Sequence, residues 1–247
     1  MKKIFVLLLV IQSSLAFAIT PPVNNYVKLT VKGKECILLL YNKTPQHRDN
    51  FLKLVQEGFY NGTLFHRVIS GFMIQGGDPD SKHATAGALL GEGDLDYKIP
   101  AELNDSLFHK KGTLAAARDN NPEKASSAAQ FYLVQGKTYT AKELDRMEEL
   151  KLEGKKIPAY QRAIYEQLGG TPFLDHNYTV FGEVVKGLDL IDSIAALPTD
   201  SNDRPLVDLP MEMAILTPLA TRKLEAELQG VPYKPNIFRR FLDLFAK

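Results

Sequence analysis

The chain of 247 residues has one cysteine and no tryptophan. A single thiol, Cys36, excludes an internal disulfide and any zinc site built on several cysteines. Its apolar neighbours, Ile37–Leu40, mark it as a buried structural thiol, with no activating group in view. Charge of either sign is not in excess: 30 Lys and Arg stand against 29 Asp and Glu. That balance gives no electrostatic footprint for nucleic acid. Hydrophobic residues make up 45% and charged residues 24%, the mixture of a globular chain with a buried core.

Long apolar runs are also missing, except at the start. Lys2-Lys3 precede an apolar stretch, Ile4–Ile11, then Gln12-Ser13-Ser14 and an Ala16-Phe17-Ala18 cleavage pattern. The stretch is short of the roughly 18 residues that a membrane span needs. It reads as a secretory signal peptide over 1–18, cut after Ala18. Cleavage removes two bases and no acid, which turns the formal charge from +1 to −1. The expected location is periplasmic or otherwise extracytoplasmic.

Beyond residue 18 the chain is punctuated into short segments. Tyr26–Val31 and Glu35–Leu40 read as strands joined at Lys32-Gly33-Lys34. Thr44-Pro45 opens a helix, with Thr44 as N-cap, Phe51, Leu52 and Val55 inward, and Gly58 at its end. Leu64–Gln75 is strand-like with a break at Ser70-Gly71. Residues 78–112 are rich in turn formers and suggest long loops. Strands return at Gly112–Ala117, Gln130–Val134 and Thr179–Val184, a pattern of a β-barrel or sandwich.

Two segments depart from it. Within 137–170, Thr140 and Glu143 form a capping box, with Leu144, Met147 and Leu150 beyond it at helical spacing. Pro158 opens a second helix with Tyr160, Ile164 and Leu168 on one stripe. This is a helical insertion that covers core or touches a substrate or partner. Residues 218–247 form a helical C-terminal extension. In its last stretch, 236–247, Phe238, Phe241, Leu242 and Phe245 share a face opposite Arg239, Arg240 and Lys247. Such a helix suits weak membrane-surface binding, self-association or docking on its own body.

One stretch mixes chemistry unusually: "FHRVISGFMIQGGD" at 65–78 holds a cation, apolar bulk and an amide, and no nucleophile. It is similar, nearly continuously over its fourteen residues, to the signature of the cyclophilins, the peptidyl-prolyl cis–trans isomerases. "AAQFYLV" at 128–134 and "FLDHNYTVFGEVVKGLDLID" at 173–192 resemble two further family segments in the right order. The resemblance, in its exported bacterial form, covers about residues 24–216. It implies an all-β domain over 19–217, a closed antiparallel eight-stranded β-barrel with flanking helices, to which the insertion and tail are additions. It implies catalysis of X-Pro rotation by Arg67, Gln75 and Phe72. Substrate binding falls by the same resemblance to Met73, Ala117, Arg118, Gln130, Tyr132, Phe173, Leu174 and Tyr178. Gln75 and Gln130 would bond the substrate backbone and brace Arg67, and backbone near Ala117 and Arg118 would pair with the peptide. The partners would be proline-containing unfolded or extended polypeptides, and no cofactor or metal is implied. Phe173 stands where the family has Trp, so tight cyclosporin binding is not expected. Tyr178 replaces its pocket His, Arg118 an Asn, Ala129 a Ser and Tyr132 a Phe.

The chemistry agrees with the residue types. An amide resists rotation by about 18–20 kcal/mol because its C–N bond is partly double. At X-Pro both isomers are populated and exchange takes tens to hundreds of seconds. A catalyst must favour the twisted amide, whose lone pair is localised on the prolyl nitrogen, and Arg67 offers several fixed donors. His66 beside it reads as a packed structural residue, since rotation needs no proton transfer. The remaining histidines, 47, 83, 109 and 176, lack zinc-site spacing. A binding module without turnover, or a surface tether working through its tail, are the alternatives. An isomerase assay and cell fractionation separate them.

Overall fold

Alternation of apolar and polar residues creates the first hairpin of a computed structural model, which describes residues 24–234. Strands β1 (Asn25–Val31) and β2 (Lys34–Leu40) meet at Lys32 and Gly33, both at positive φ, as a two-residue hairpin turn requires. Val27, Leu29, Val31, Cys36, Leu38 and Leu40 all point into the core. Burial pushes the Cys36 thiol up to about 12, an inert structural group.

Six further strands complete one antiparallel sheet: β3 (Phe65–Ile69), β4 (Met73–Gly76), β6 (Thr113–Ala116), β8 (Phe131–Val134), β9 (Val180–Lys186) and β10 (Met211–Ile215). The order is β10-β1-β2-β9-β6-β8-β4-β3. A separate two-stranded ribbon pairs β5 (Lys98–Ile99) with β7 (Ser126–Ser127). The sheet curls strongly but is not the closed barrel expected from the sequence. Its ends, β3 and β10, share no ladder, only a bridge between Leu64 and Pro210. Beside that bridge Met211 donates to the Thr63 carbonyl (2.9 Å), and the pairing goes no further into β3. The loop before β10 covers the open edge instead: Phe65 donates to the Leu209 carbonyl (3.1 Å) and Val68 to that of Asp203 (2.8 Å).

Helices α1 (Pro45–Gln56) and α4 (Asp189–Ala195) close the core. Phe51 meets Phe131 edge-to-face at 5.6 Å. Thr44 does not cap α1 with its side chain. Glu102 does so from across the chain, accepting from the amides of Gln46 (3.1 Å) and His47 (2.9 Å). A carboxylate there satisfies two orphan donors and complements the helix dipole.

The insertion contains α2 (Ala141–Leu150) and α3 (Ala159–Gln167) around its own small core of Phe108, Tyr139, Leu144, Ile157 and Tyr165. The Thr140–Glu143 capping box is present. The expected apolar stripes are buried only in part: Leu144 is enclosed with Met147 and Ile164 packed against its cluster, whereas Leu150, Tyr160 and Leu168 are exposed. Glu148, Gln161 and Tyr165 face inward as well, because Glu148 receives Lys156, Arg162 and the Ile157 amide. The insertion's ends meet where Gly136 packs on Gly170: a Cβ on Gly136 would collide with the Gly170 backbone, and one on Gly170 with the His109 carbonyl. Helix α5 (Pro218–Leu228) is capped by Thr217 and buries Leu224. The expected signal sequence at 1–18 and the expected amphipathic stretch at 236–247 lie outside the described residues. Among the described residues no helix is long and apolar enough to cross a membrane.

Candidate active site

Strand alternation divides the sheet's side chains between two faces. Ile74, Leu114, Ala116, Phe131 and Leu133 enter the main core, whereas Met73, Ala115, Ala117, Tyr132 and Val134 gather on the opposite face. That second face carries a cavity of about 170 Å³ lined by Arg67, Phe72, Met73, Gln75, Ala117, Arg118, Tyr132, Leu174 and Tyr178. Nine of the eleven residues named from the sequence therefore share one hollow. It is smaller than the ~300–1,000 Å³ of pockets that enclose drug-sized ligands, and suits one small side chain. Phe173 flanks it, stacked on Phe72 at 5.6 Å. The walls are aromatic: Tyr132 meets Tyr178 edge-on at 5.9 Å, and the Arg118 guanidinium lies 4.8 Å from the Tyr178 ring centre.

Arg67 and Gln75 are direct cross-strand partners, so both sit at the mouth. The expected brace from Gln75 and Gln130 onto Arg67 is not formed. The Arg67 side chain is 44% exposed, and its Nε lies 3.5 Å from Asp203 Oδ2, in the loop that covers the sheet's edge. No other partner of the guanidinium occurs among the described residues, which leaves donors for a ligand. Gln75 instead donates to Gln130 Oε1 at 2.9 Å.

Gln130, the eleventh residue, lies beyond the hollow. Its two amide donors are used on the carbonyls of Gly91 (2.8 Å) and Gly93 (2.7 Å), so it braces Gln75 and a loop. It lines an adjoining cleft of about 370 Å³ that shares Gln75, Ala117 and Arg118 with the hollow. Ala117 cannot offer its backbone to a peptide as expected, since its N–H binds Gln130 and its carbonyl accepts from Ser127. The backbone of Arg118 is the remaining candidate. Gly77 is needed behind this wall: its φ is +92°, and a Cβ would collide with the Ala129 carbonyl.

Behind the hollow runs a chain of buried polar groups that the sequence does not reveal. Tyr132 Oη is 2.9 Å from His109 Nε2, and His109 Nδ1 is 2.8 Å from Asp175 Oδ1. Asp175 Oδ2 accepts from Tyr165 Oη of α3 at 2.6 Å. The carboxylate holds the Nδ1 side of the ring, which turns Nε2 toward the Tyr132 hydroxyl. The one sequence signal was Tyr132 itself, a hydroxyl that had to find a partner once buried. His66 is buried behind Arg67 with neither ring nitrogen partnered, and burial lowers it to about 4. It is a packed neutral ring at neutral pH. No group of three or more His, Cys, Asp or Glu side chains able to hold a metal occurs among the described residues.

The family model for cyclophilin type peptidyl-prolyl cis-trans isomerase/CLD matches residues 26–215. The chain belongs to the cyclophilin family. A Staphylococcus saprophyticus protein assigned as a peptidyl-prolyl cis-trans isomerase is 32% identical over 192 residues, 76% of this chain and 91% of that protein. A Streptococcus pyogenes protein assigned as a bifunctional phosphatase/peptidyl-prolyl cis-trans isomerase is 35% identical over 192 residues. That match spans 75% of this chain but only 37% of the streptococcal protein. The crystal structure of a Cryptosporidium parvum cyclophilin type peptidyl-prolyl cis-trans isomerase shares the fold. It is 20% identical with a TM-score of 0.57, covering 78% of this chain and 98% of that one. A second crystal structure of that protein, in the presence of the dipeptide Ala-Pro, gives a TM-score of 0.56. This cyclophilin is an isomerase of peptidyl-prolyl bonds, carried on a curled half-barrel rather than a closed one.

Proposed function

We propose that this cyclophilin accelerates X-Pro rotation in exported polypeptides and assists their folding outside the cytoplasm. The proline ring packs against Phe72, Met73, Tyr132 and Leu174, with Phe173 and Tyr178 as further walls. Arg67 stands at the mouth with unpaired donors, aimed at the prolyl nitrogen as its lone pair localises. The donor is worth more to the twisted amide than to either planar isomer, which is what lowers the barrier. Gln75, fixed by Gln130, holds the peptide backbone, and the Arg118 backbone lies beside it. The observation that carries this reading is the placement of a half-exposed guanidinium over an apolar hollow. The export half is supported by the Lys2-Lys3, Ile4–Ile11 and Ala16–Ala18 pattern.

A protease-coupled prolyl-peptide assay tests the chemistry. Arg67→Ala is expected to lose about 100–1,000-fold in kcat/KM, the scale for one preorganised donor. Wild type that binds the peptide without any rate above background would leave only a binding module. Intact mass after secretion tests the export half, with Ile19 expected as the first residue.

A further inference from the structure

The insertion does more than cover core. Between the 151–158 connection of α2 to α3, Gln161 of α3 and the 175–177 turn lies a cleft of about 270 Å³, separate from the proline hollow and larger than it. Lys124, Lys151, Lys155 and Lys156 line it. Its two lining acids are Glu153 and Asp175, and Asp175 turns its carboxylate inward to His109 and Tyr165. Lys156 is matched by Glu148. Lys124 binds neutral groups, the His176 carbonyl and Asn177 Oδ1, both at 2.9 Å. Lys151 and Lys155 are exposed and make no ion pair among the described residues. Three lysines without a carboxylate partner, Lys124, Lys151 and Lys155, therefore line one hollow, against Glu153 on its wall, Asp175 turned inward behind it and Asp105 at His176.

The cleft also adjoins the route that a substrate takes. The Lys151 ammonium lies 4.9 Å from the Phe173 ring centre, and the Phe173 ring stacks on Phe72 of the proline hollow. A polypeptide leaving the hollow across these two rings runs onto Lys151, about three residues from the proline at the rise of an extended chain. On the far side, Asn177 lines the cleft and its carbonyl accepts from Arg118 Nε at 2.8 Å, so one turn forms a wall of both.

We infer that the insertion builds an anion subsite that selects X-Pro bonds with carboxylate side chains nearby in the same polypeptide. The subsite rests on the substrate lying over Phe72 and Phe173, as in the proposed function. It gives the insertion a task in substrate choice, leaving rotation itself to Arg67.

The test compares two matched peptide pairs in the prolyl assay. Each pair carries Glu-Glu or Gln-Gln two to four residues from the proline, on its N-terminal side in one pair and its C-terminal side in the other. At low ionic strength, the Glu peptide on one side is expected to exceed its Gln twin about fivefold in kcat/KM, the scale of two solvent-screened ion pairs. Half-molar salt should erase the difference, and so should Lys151→Gln/Lys155→Gln. That exposed double variant should turn over the Gln peptides like wild type. Equal turnover of Glu and Gln peptides on both sides overturns the subsite, as does a preference that survives in the double variant. Arg67→Ala, run beside them, lowers all four peptides alike. Absence of that loss strikes the assignment of Arg67, whereas an Arg67-dependent enzyme indifferent to Glu strikes the subsite alone.

Discussion

Tyr165→Phe deletes one oxygen from the chain that ties the insertion to the proline hollow. Tyr165 is fully buried, and its hydroxyl donates to Asp175 Oδ2 at 2.6 Å. The ring stays, so the packing against Phe108 at 5.5 Å is kept and almost no cavity opens. What is lost is a hydrogen bond to an acid, worth about 1.5–3 kcal/mol when the acceptor is ionised. For a domain of this size each kcal/mol moves Tm by about 2–4 °C, so a drop of roughly 3–12 °C is expected. Asp175 Oδ1 still accepts from the His109 amide and ring, both at 2.8 Å. Tyr132 therefore keeps its partner, and kcat/KM on a neutral prolyl peptide should stay within about twofold of wild type. Thermal unfolding and the prolyl assay read the two effects separately. A double-mutant cycle with Asp175→Asn should give a coupling of about 1.5 kcal/mol. An unchanged Tm, or a coupling near zero, would refute the reasoning, because the bond would then stabilise nothing.

Two other perturbations act on buried ionisable groups. His66 is lowered to about 4 by burial, so between that value and its unfolded value near 6.5 the unfolded chain binds the extra proton. Stability should thus be full above about pH 6.5 and fall by on the order of 3 kcal/mol toward pH 4. His47, also lowered by burial, adds in the same direction. Urea unfolding of wild type and His66→Leu at pH 7 and pH 4.5 checks this: the variant should lose less on acidification, and equal losses would count against it. Glu148→Ala removes the acceptor shared by Lys156 (2.8 Å), Arg162 (2.6 Å) and the Ile157 amide (3.1 Å). Trypsin should then cut the 151–156 segment on the order of tenfold faster, with prolyl activity on neutral peptides retained. Cleavage at the wild-type rate would show that the α2–α3 contact does not depend on that carboxylate.

Much of the site was legible because it is local. Arg67, Phe72, Met73 and Gln75 fall within one hairpin, and a period of two places Met73 and Gln75 on the face opposite Ile74. The Thr140–Glu143 capping box was equally local, closing over three residues. Contacts between distant segments were not legible. Glu102 caps a helix 55 residues away, and His109 meets Asp175 across 66. Neither pair leaves a periodic trace in the chain. The insertion's buried faces were legible only in part, for a related reason: apolar spacing found Leu144, Met147 and Ile164 but not Glu148, Gln161 and Tyr165. Apolar spacing marks Leu150, Tyr160 and Leu168, but a buried carboxylate with three partners can turn a helix so that polar groups point inward.

From the order of its residues alone, the chain specified its strands, its proline-handling signature and the place of its insertion, since alternation, caps and turns act over a few residues. Tertiary structure decided the rest. It left the sheet's seam to a loop, in which the carbonyls of Leu209 and Asp203 take the amides of Phe65 and Val68. It used Gln130 as a brace rather than a free ligand and gave Arg67 to Asp203. It also brought Lys151 of the insertion to 4.9 Å from the Phe173 ring, which flanks the proline hollow. These are pairings across long stretches of chain, and only the folded molecule brings such groups within reach of each other.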